Sequence, residues 1–181
     1  PGTYSIHSME FLGRMSAEDA DLLSRLSPLV FDRGYIFKEA QKTFEKQKIN
    51  ISDLINLDDL GIINSPHAIG GLQQTFKCDV AASATSQFYT ALPIHGEALV
   101  LYSDNENKEL KMPVIAVSRV GREILGLTSG GVHMDYLSEV VAHFKKQGCT
   151  AAETGTWIPD GPGTETAMIT NLKPFPNFDD L

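Results

Sequence analysis

Asn50-Ile51-Ser52-Asp53-Leu54-Ile55-Asn56-Leu57-Asp58-Asp59-Leu60-Gly61-Ile62-Ile63-Asn64 reads as a short helix, a stop and a strand. Asn50 carries an oxygen that can accept from the free N–H groups of a first helical turn, so it is the expected cap. Ile51, Leu54, Ile55, Leu57 and Leu60 recur at helical spacing and supply a face to bury. Gly61 suits the left-handed position at which many helices end, and Ile62 and Ile63 then begin a strand. The helix carries Asp53, Asp58 and Asp59, and neither lysine nor arginine.

On its N-terminal side, Ser16 is the cap of a helix whose first turn holds Glu18 and Asp19, matched to the positive end of the helix dipole. Leu22, Leu23, Leu26, Leu29 and Val30 form its apolar face, and Pro28 ends or kinks it. Residues 34–38 read as a short strand, and residues 39–48 as polar with weak helical character. On the C-terminal side, residues 65–96 are rich in Ala, Ser, Thr and Gly. Within them Leu72, Phe76, Cys78 and Val80 alternate with Gln73, Thr75, Lys77 and Asp79, the pattern of a half-buried strand, and residues 81–87 read as a loop. The apolar runs 97–103 and 112–118 flank the polar connector 103–109 and are expected to pair as a hairpin, a wing, with Pro113 near the start of its second strand.

Ser118 then caps a helix with Val120, Ile124, Leu125 and Leu127 inward, and Gly130-Gly131 breaks the chain. A further helix follows Asp135, with Met134, Leu137, Val140, Val141 and Phe144 as its stripe and Gly148 as its end. Residues 149–158 and 164–170 are expected to form a second hairpin about Pro159-Asp160-Gly161-Pro162-Gly163. This order predicts an α+β fold: a winged-helix-like core with a C-terminal helix and β-hairpin. The expected organisation is an N-terminal extension (1–15), the core (16–130), and a C-terminal helix with hairpin and tail (131–181) packed on it.

Two segments carry a resemblance. Leu54 to Ile63 has the form of a leucine-rich helix followed by Leu-Gly-Ile-Ile, and Val117 to Leu125 resembles the Leu-Thr-x-x-Gly-x-x-Leu helix start that follows the wing in many winged-helix proteins. Their order over residues 16–147 is similar to the C-terminal region of a bacterial family of unknown function. The resemblance implies a winged-helix-like fold and a preceding region outside this chain, and it brings no catalytic residues. With Pro1 rather than Met as its first residue, the chain is expected to be either processed or a fragment of something longer.

The composition is that of a globular chain of 181 residues, 42% hydrophobic and 21% charged. No apolar run reaches the ~18 residues of a membrane span, so the expectation is a cytoplasmic protein with no membrane partner. Cys78 and Cys149 are expected to be buried thiols, with a single disulfide between them as the alternative. The histidines, His7, His67, His95, His133 and His143, lack metal-ligand spacing, and no nucleophile elbow or phosphate loop occurs. The reading is therefore not an enzyme, with no catalytic residues, cofactor or metal.

A net charge of −8 repels phosphate. The leading expectation is a non-catalytic protein-interaction or regulatory module of a larger bacterial protein, meeting a protein partner or a second copy of itself. Asp53, Asp58, Asp59, Phe175 and Phe178 are its candidate contacts. The alternative is a nucleic-acid-binding winged helix that uses Arg33, Lys38, Lys42, Lys46 and Lys48 with Lys108 and Lys111 of the wing.

Overall fold

The computed structural model describes residues 5–64, 72–82, 86–128, 131–161 and 167–181; the expected turn positions Gly130, Pro162 and Gly163 lie outside them, as do His67 and part of the 81–87 loop. The fold is mixed α+β with antiparallel sheets. The chain divides into two compact units, Pro1–Leu72 with Pro113–His133, and Gln73–Met112 with Met134–Leu181. The expected 16–130 core therefore includes segments of both.

The first unit holds α1 (Ile6–Arg14), α2 (Ala17–Leu26), β1 (Tyr35–Phe37), α3 (Gln41–Lys46), α4 (Ile51–Asp59) and β2 (Ile63–Asn64). Ser16 caps α2 as expected: its hydroxyl accepts from Asp19 N, and the Asp19 carboxylate accepts from Ser16 N at 3.1 Å. Leu22, Leu23, Leu26 and Leu29 are buried, and the chain passes Pro28 in a single 3₁₀ turn. Asn50 and Asp53 form the same reciprocal cap on α4, and Gly61 stops that helix at φ +71°. Ile62 and Ile63 are fully buried.

A long strand, β7 (Lys108–Val117), supplies the pairing partner. Its C-terminal half lies antiparallel to β1 (Tyr35 opposite Ala116) and to β2 (Ile63 opposite Val117), while β3 (Leu72–Cys78) also pairs with it. At the end of β7, Ser118 caps α5 (Arg119–Leu125) and reaches across to the helix stop. Its hydroxyl donates to Gly61 O at 2.5 Å and accepts from Gly121 N at 2.9 Å, while its N–H donates to Ile62 O at 2.9 Å. The two segments that carry the resemblance are thus bound directly to each other.

The second unit is built on a five-stranded antiparallel sheet. Its order is β4 (Val80–Ala81), β5 (Phe88–Ile94), β6 (Glu97–Ser103), β8 (Ala151–Pro159) and β9 (Ala167–Pro174). α6 (Met134–Lys145) buries Tyr136, Leu137, Val140, Val141 and Phe144, with Phe144 edge-on to Phe76 of β3. The expected hairpin about Pro159 is present as β8 and β9, with Ile158 opposite Met168.

The expected wing is not formed. β6 pairs with β5 and β8, and β7 pairs elsewhere. The reason lies at His95-Gly96, both at positive φ (50° and 76°), which make the two-residue connection that joins Ile94 to Glu97 in direct register. Such a turn matches the strand twist and sets β5 along one edge of β6; β8 takes the other edge, with Tyr102 opposite Ala151, so neither edge is left for β7. Alternation marks a strand without naming its partner.

Three other expectations are corrected. On α4 only Leu57 is fully buried; Ile51 and Ile55 face out at 72% and 40% exposure. The apolar residues cover more of this helix than its single packed side needs, and Leu54, Leu57 and Leu60 take the inward ridge. Leu127 and Met134 are exposed, and Tyr136 takes the inward position expected of Met134. Leu72 and Val80 lie at the open ends of their alternating run, and both are exposed. The acidic tail is held by its own unit. Phe175 is buried and donates its N–H to Ala152 O at 2.9 Å. The Lys145 ammonium donates to Phe178 O and Asp179 O and lies 5.1 Å from the Phe178 ring centre.

Candidate functional site

The residues nominated for nucleic-acid contact are spread over both units. Arg33 lies in the turn before β1, Lys38 just after β1, Lys42 and Lys46 on α3, and Lys48 in the link to α4. Lys108 and Lys111 belong to β7, not to a wing tip. The backbone of Lys111 is pinned to the turn that follows α6: Gln147 Nε2 donates to its carbonyl at 2.7 Å, and its N–H donates to Gln147 Oε1 at 2.8 Å.

The nominated acids have separate fates. Asp53 is consumed by the α4 cap, where it accepts from Asn50 N at 2.8 Å. Asp58 is half-buried, and Asp59 is exposed one turn beyond Ile55. Ile51, Ile55 and Asp59 follow at i, i+4 and i+8 and so form one outward ridge. Two shallow grooves border this region. One, of about 320 Å³, is lined by His7, Glu10, Arg14 and Asp59 among others. The other, of about 410 Å³, is lined by Glu18, Asp19, Asp21, Asp53 and Asn56 together with Arg25, which pairs with Asp21 at 2.9 Å and leaves a net acidic lining. Asp19 lies on both, held below its ordinary pKa chiefly by the Ser16 hydroxyl. The surface is thus apolar at its ridge and acidic at its borders. Phe175 is not part of any surface, because it is core, and Phe178 is engaged by Lys145.

A cluster missed in the sequence ties α1 to α5. Glu123 Oε2 accepts from Ser8 Oγ at 2.6 Å, Ser5 Oγ at 2.8 Å and Ser5 N at 2.9 Å, and Arg119 reaches the other oxygen at 3.2 Å. These donors, the Ser8 hydroxyl first, depress its pKa to about 2. A carboxylate so stabilised is a poor base for a serine hydroxyl, so the cluster works as a fastening.

A concave region of the second unit holds a cavity of about 630 Å³. Cross-strand partners share a side of a sheet, and the register assembles its wall. Tyr89 lies opposite Tyr102, which lies opposite Ala151; Val100 lies opposite Glu153, which lies opposite Pro174. Ile169 and Leu172 of β9 close the side. β9 can approach because Gly155 sits at the irregularity between Thr154 and Thr156. A Cβ there would stand 2.8 Å from Thr170 O and 3.0 Å from the Leu172 side chain.

Within this apolar wall the Tyr102 hydroxyl donates to Glu153 Oε2 at 2.5 Å, and the Tyr89 and Tyr102 rings lie 6.0 Å apart. Burial first, then the Glu153 bond, pushes the Tyr102 phenol well above its usual range. The only advance signal was the strand character expected of 97–103 and 149–158; strand 88–94, which brings Tyr89, was not read in the sequence, and the three polar residues come from three strands. The two thiols are free and buried; burial raises Cys78 and pushes Cys149 up to about 11. Among the described residues no helix is long and apolar enough to cross a membrane. Comparison with protein-family models, curated proteins and solved structures returned no match.

Proposed function

We propose that the chain is an interaction module that docks a basic, apolar-anchored segment of another protein on the outward ridge of α4. One observation carries this reading: Ile51 and Ile55 are exposed on a helix whose stop, cap and inward ridge are all otherwise satisfied. A β-branched aliphatic pair in water gains about 25 cal/mol per Å² when covered. Asp58 and Asp59, with Asp19 and Glu18 across the neighbouring groove, favour a partner that brings lysine or arginine around its apolar anchor. The net charge of −8 favours the same partner at longer range. The nucleic-acid alternative is weakened by the pairing of β6 with β5 and β8, which leaves Lys108 and Lys111 without the wing that was to present them.

The test is a titration with designed amphipathic peptides, basic and acidic, at low and high salt. The basic peptide should bind, weaken with salt, and lose binding on Ile51→Ser with Ile55→Ser. Equal binding of the acidic peptide, or retention of binding in the double variant, would exclude the ridge.

A further inference from the structure

The cavity on the five-stranded sheet is independent of α4, and its chemistry is more specific. Its wall is apolar, formed by Val100, Ala151, Ile169, Leu172 and Pro174. Into this wall the fold places one carboxylate. Glu153 is half-buried, and among the described residues no basic side chain forms an ion pair with it. Tyr102 satisfies one oxygen and holds the group in a single orientation. A carboxylate drawn out of bulk water is costly unless a countercharge meets it. Tyr89 lines the same cavity, its ring 6.0 Å from that of Tyr102 and tilted by 48° to it, and aromatic faces attract cations. Carboxylate, aromatic faces and apolar wall together suit a positive head on an apolar body. The cavity volume, about 630 Å³, falls within the ~300–1,000 Å³ of small-molecule sites.

We propose that this cavity binds a small organic cation, an ammonium carried on an apolar or aromatic skeleton, with the ammonium at Glu153 and Tyr102 and the skeleton against Val100, Ile169 and Leu172. The alternative, a carboxylate kept only to fasten Tyr102, predicts no preference for ligand charge.

The test uses three probes of one skeleton that differ only in the head group: phenylpropylamine, phenylpropanol and phenylpropanoate. Each is titrated calorimetrically into the intact protein at neutral pH. The amine should bind about tenfold more tightly than the alcohol, the ratio of one ion pair with a cation–π contact, and the carboxylate should bind least. Glu153→Gln keeps an acceptor for the Tyr102 hydroxyl, so the sheet is retained; it should bring the amine down to the level of the alcohol and leave the alcohol unchanged. Tyr89→Leu keeps apolar surface and removes one ring, and should weaken the amine more than the alcohol. The proposal is overturned if none of the three binds at millimolar concentration, if the amine binds no better than the alcohol, or if Glu153→Gln leaves the amine affinity unchanged. None of these results depends on whether the α4 ridge binds a peptide.

Discussion

Substituting Gly121 by alanine sets two rules against each other. In a helix, Ala is favoured over Gly by about 1 kcal/mol, and Gly121 lies in the first turn of α5, so propensity predicts a gain. The contacts predict a loss. A Cβ at Gly121 would stand 2.2 Å from Ile62 O and 2.8 Å from Val117 Cγ1, and the first of these neighbours is backbone of the buried strand start. Either α5 lifts away or Ile62 shifts. Overpacking of this kind costs about 1–3 kcal/mol. Lifting α5 also strains the Ser118 bonds to Gly61 O and Ile62 O, and a lost hydrogen bond costs about 1 kcal/mol more. With the propensity gain set against that bond, the net is a destabilisation of about 1–3 kcal/mol. Gly13 of α1 is the control, because nothing lies within 4 Å of its added Cβ. Gly13→Ala should be neutral or stabilising by up to about 1 kcal/mol. Urea unfolding followed by circular dichroism reads both as shifts of the midpoint at constant slope. A Gly121→Ala protein as stable as the parent would refute the close crossing of α5 over Ile62, and with it the physical meaning given to the second resemblance segment.

Two further expectations follow from the packing. The Glu123 pKa falls from 4.5 to about 2 on folding, so the folded state binds this proton more weakly than the unfolded chain. Its contribution is fully present above about 4.5 and is lost as pH falls through about 2; carboxyl chemical shifts of Glu123 should titrate near the lower value, and a midpoint near 4.5 would remove the Ser5 and Ser8 fastening. Phe175→Ala should destabilise the second unit by about 3–5 kcal/mol, because the ring is core and not surface; a loss below about 1 kcal/mol would return Phe175 to the list of exposed contacts.

Local punctuation was legible in the sequence. Ser16, Asn50 and Ser118 cap helices because their side chains meet the first turn, and Gly61 stops α4 because it tolerates φ +71°. The α6 stripe, Met134 excepted, and the β8–β9 hairpin followed from periodicity and from the Pro-Asp-Gly turn. The partners of β6 and β7 were not legible. Strand β6 has an apolar run that fits any neighbour, and the His95-Gly96 turn joins it to β5 while β8 takes its other edge. Nor does periodicity say which side of α4 turns inward when apolar residues surround most of it, and this left Ile51 and Ile55 on the wrong side of the expectation. The cavity was out of reach for a related reason. Tyr89, Tyr102 and Glu153 meet only through register across three strands, and register is a property of the assembled sheet.

Isoleucine methyl spectra read the α4 ridge directly. In a titration of ¹³C-methyl-labelled protein with a basic amphipathic peptide at low salt, Ile51 and Ile55 should shift together while buried Ile62 and Ile63 stay still, and Asp58→Asn with Asp59→Asn should weaken the response. Shifts that spare Ile51 and Ile55, or that survive loss of both acids at full strength, would contradict it.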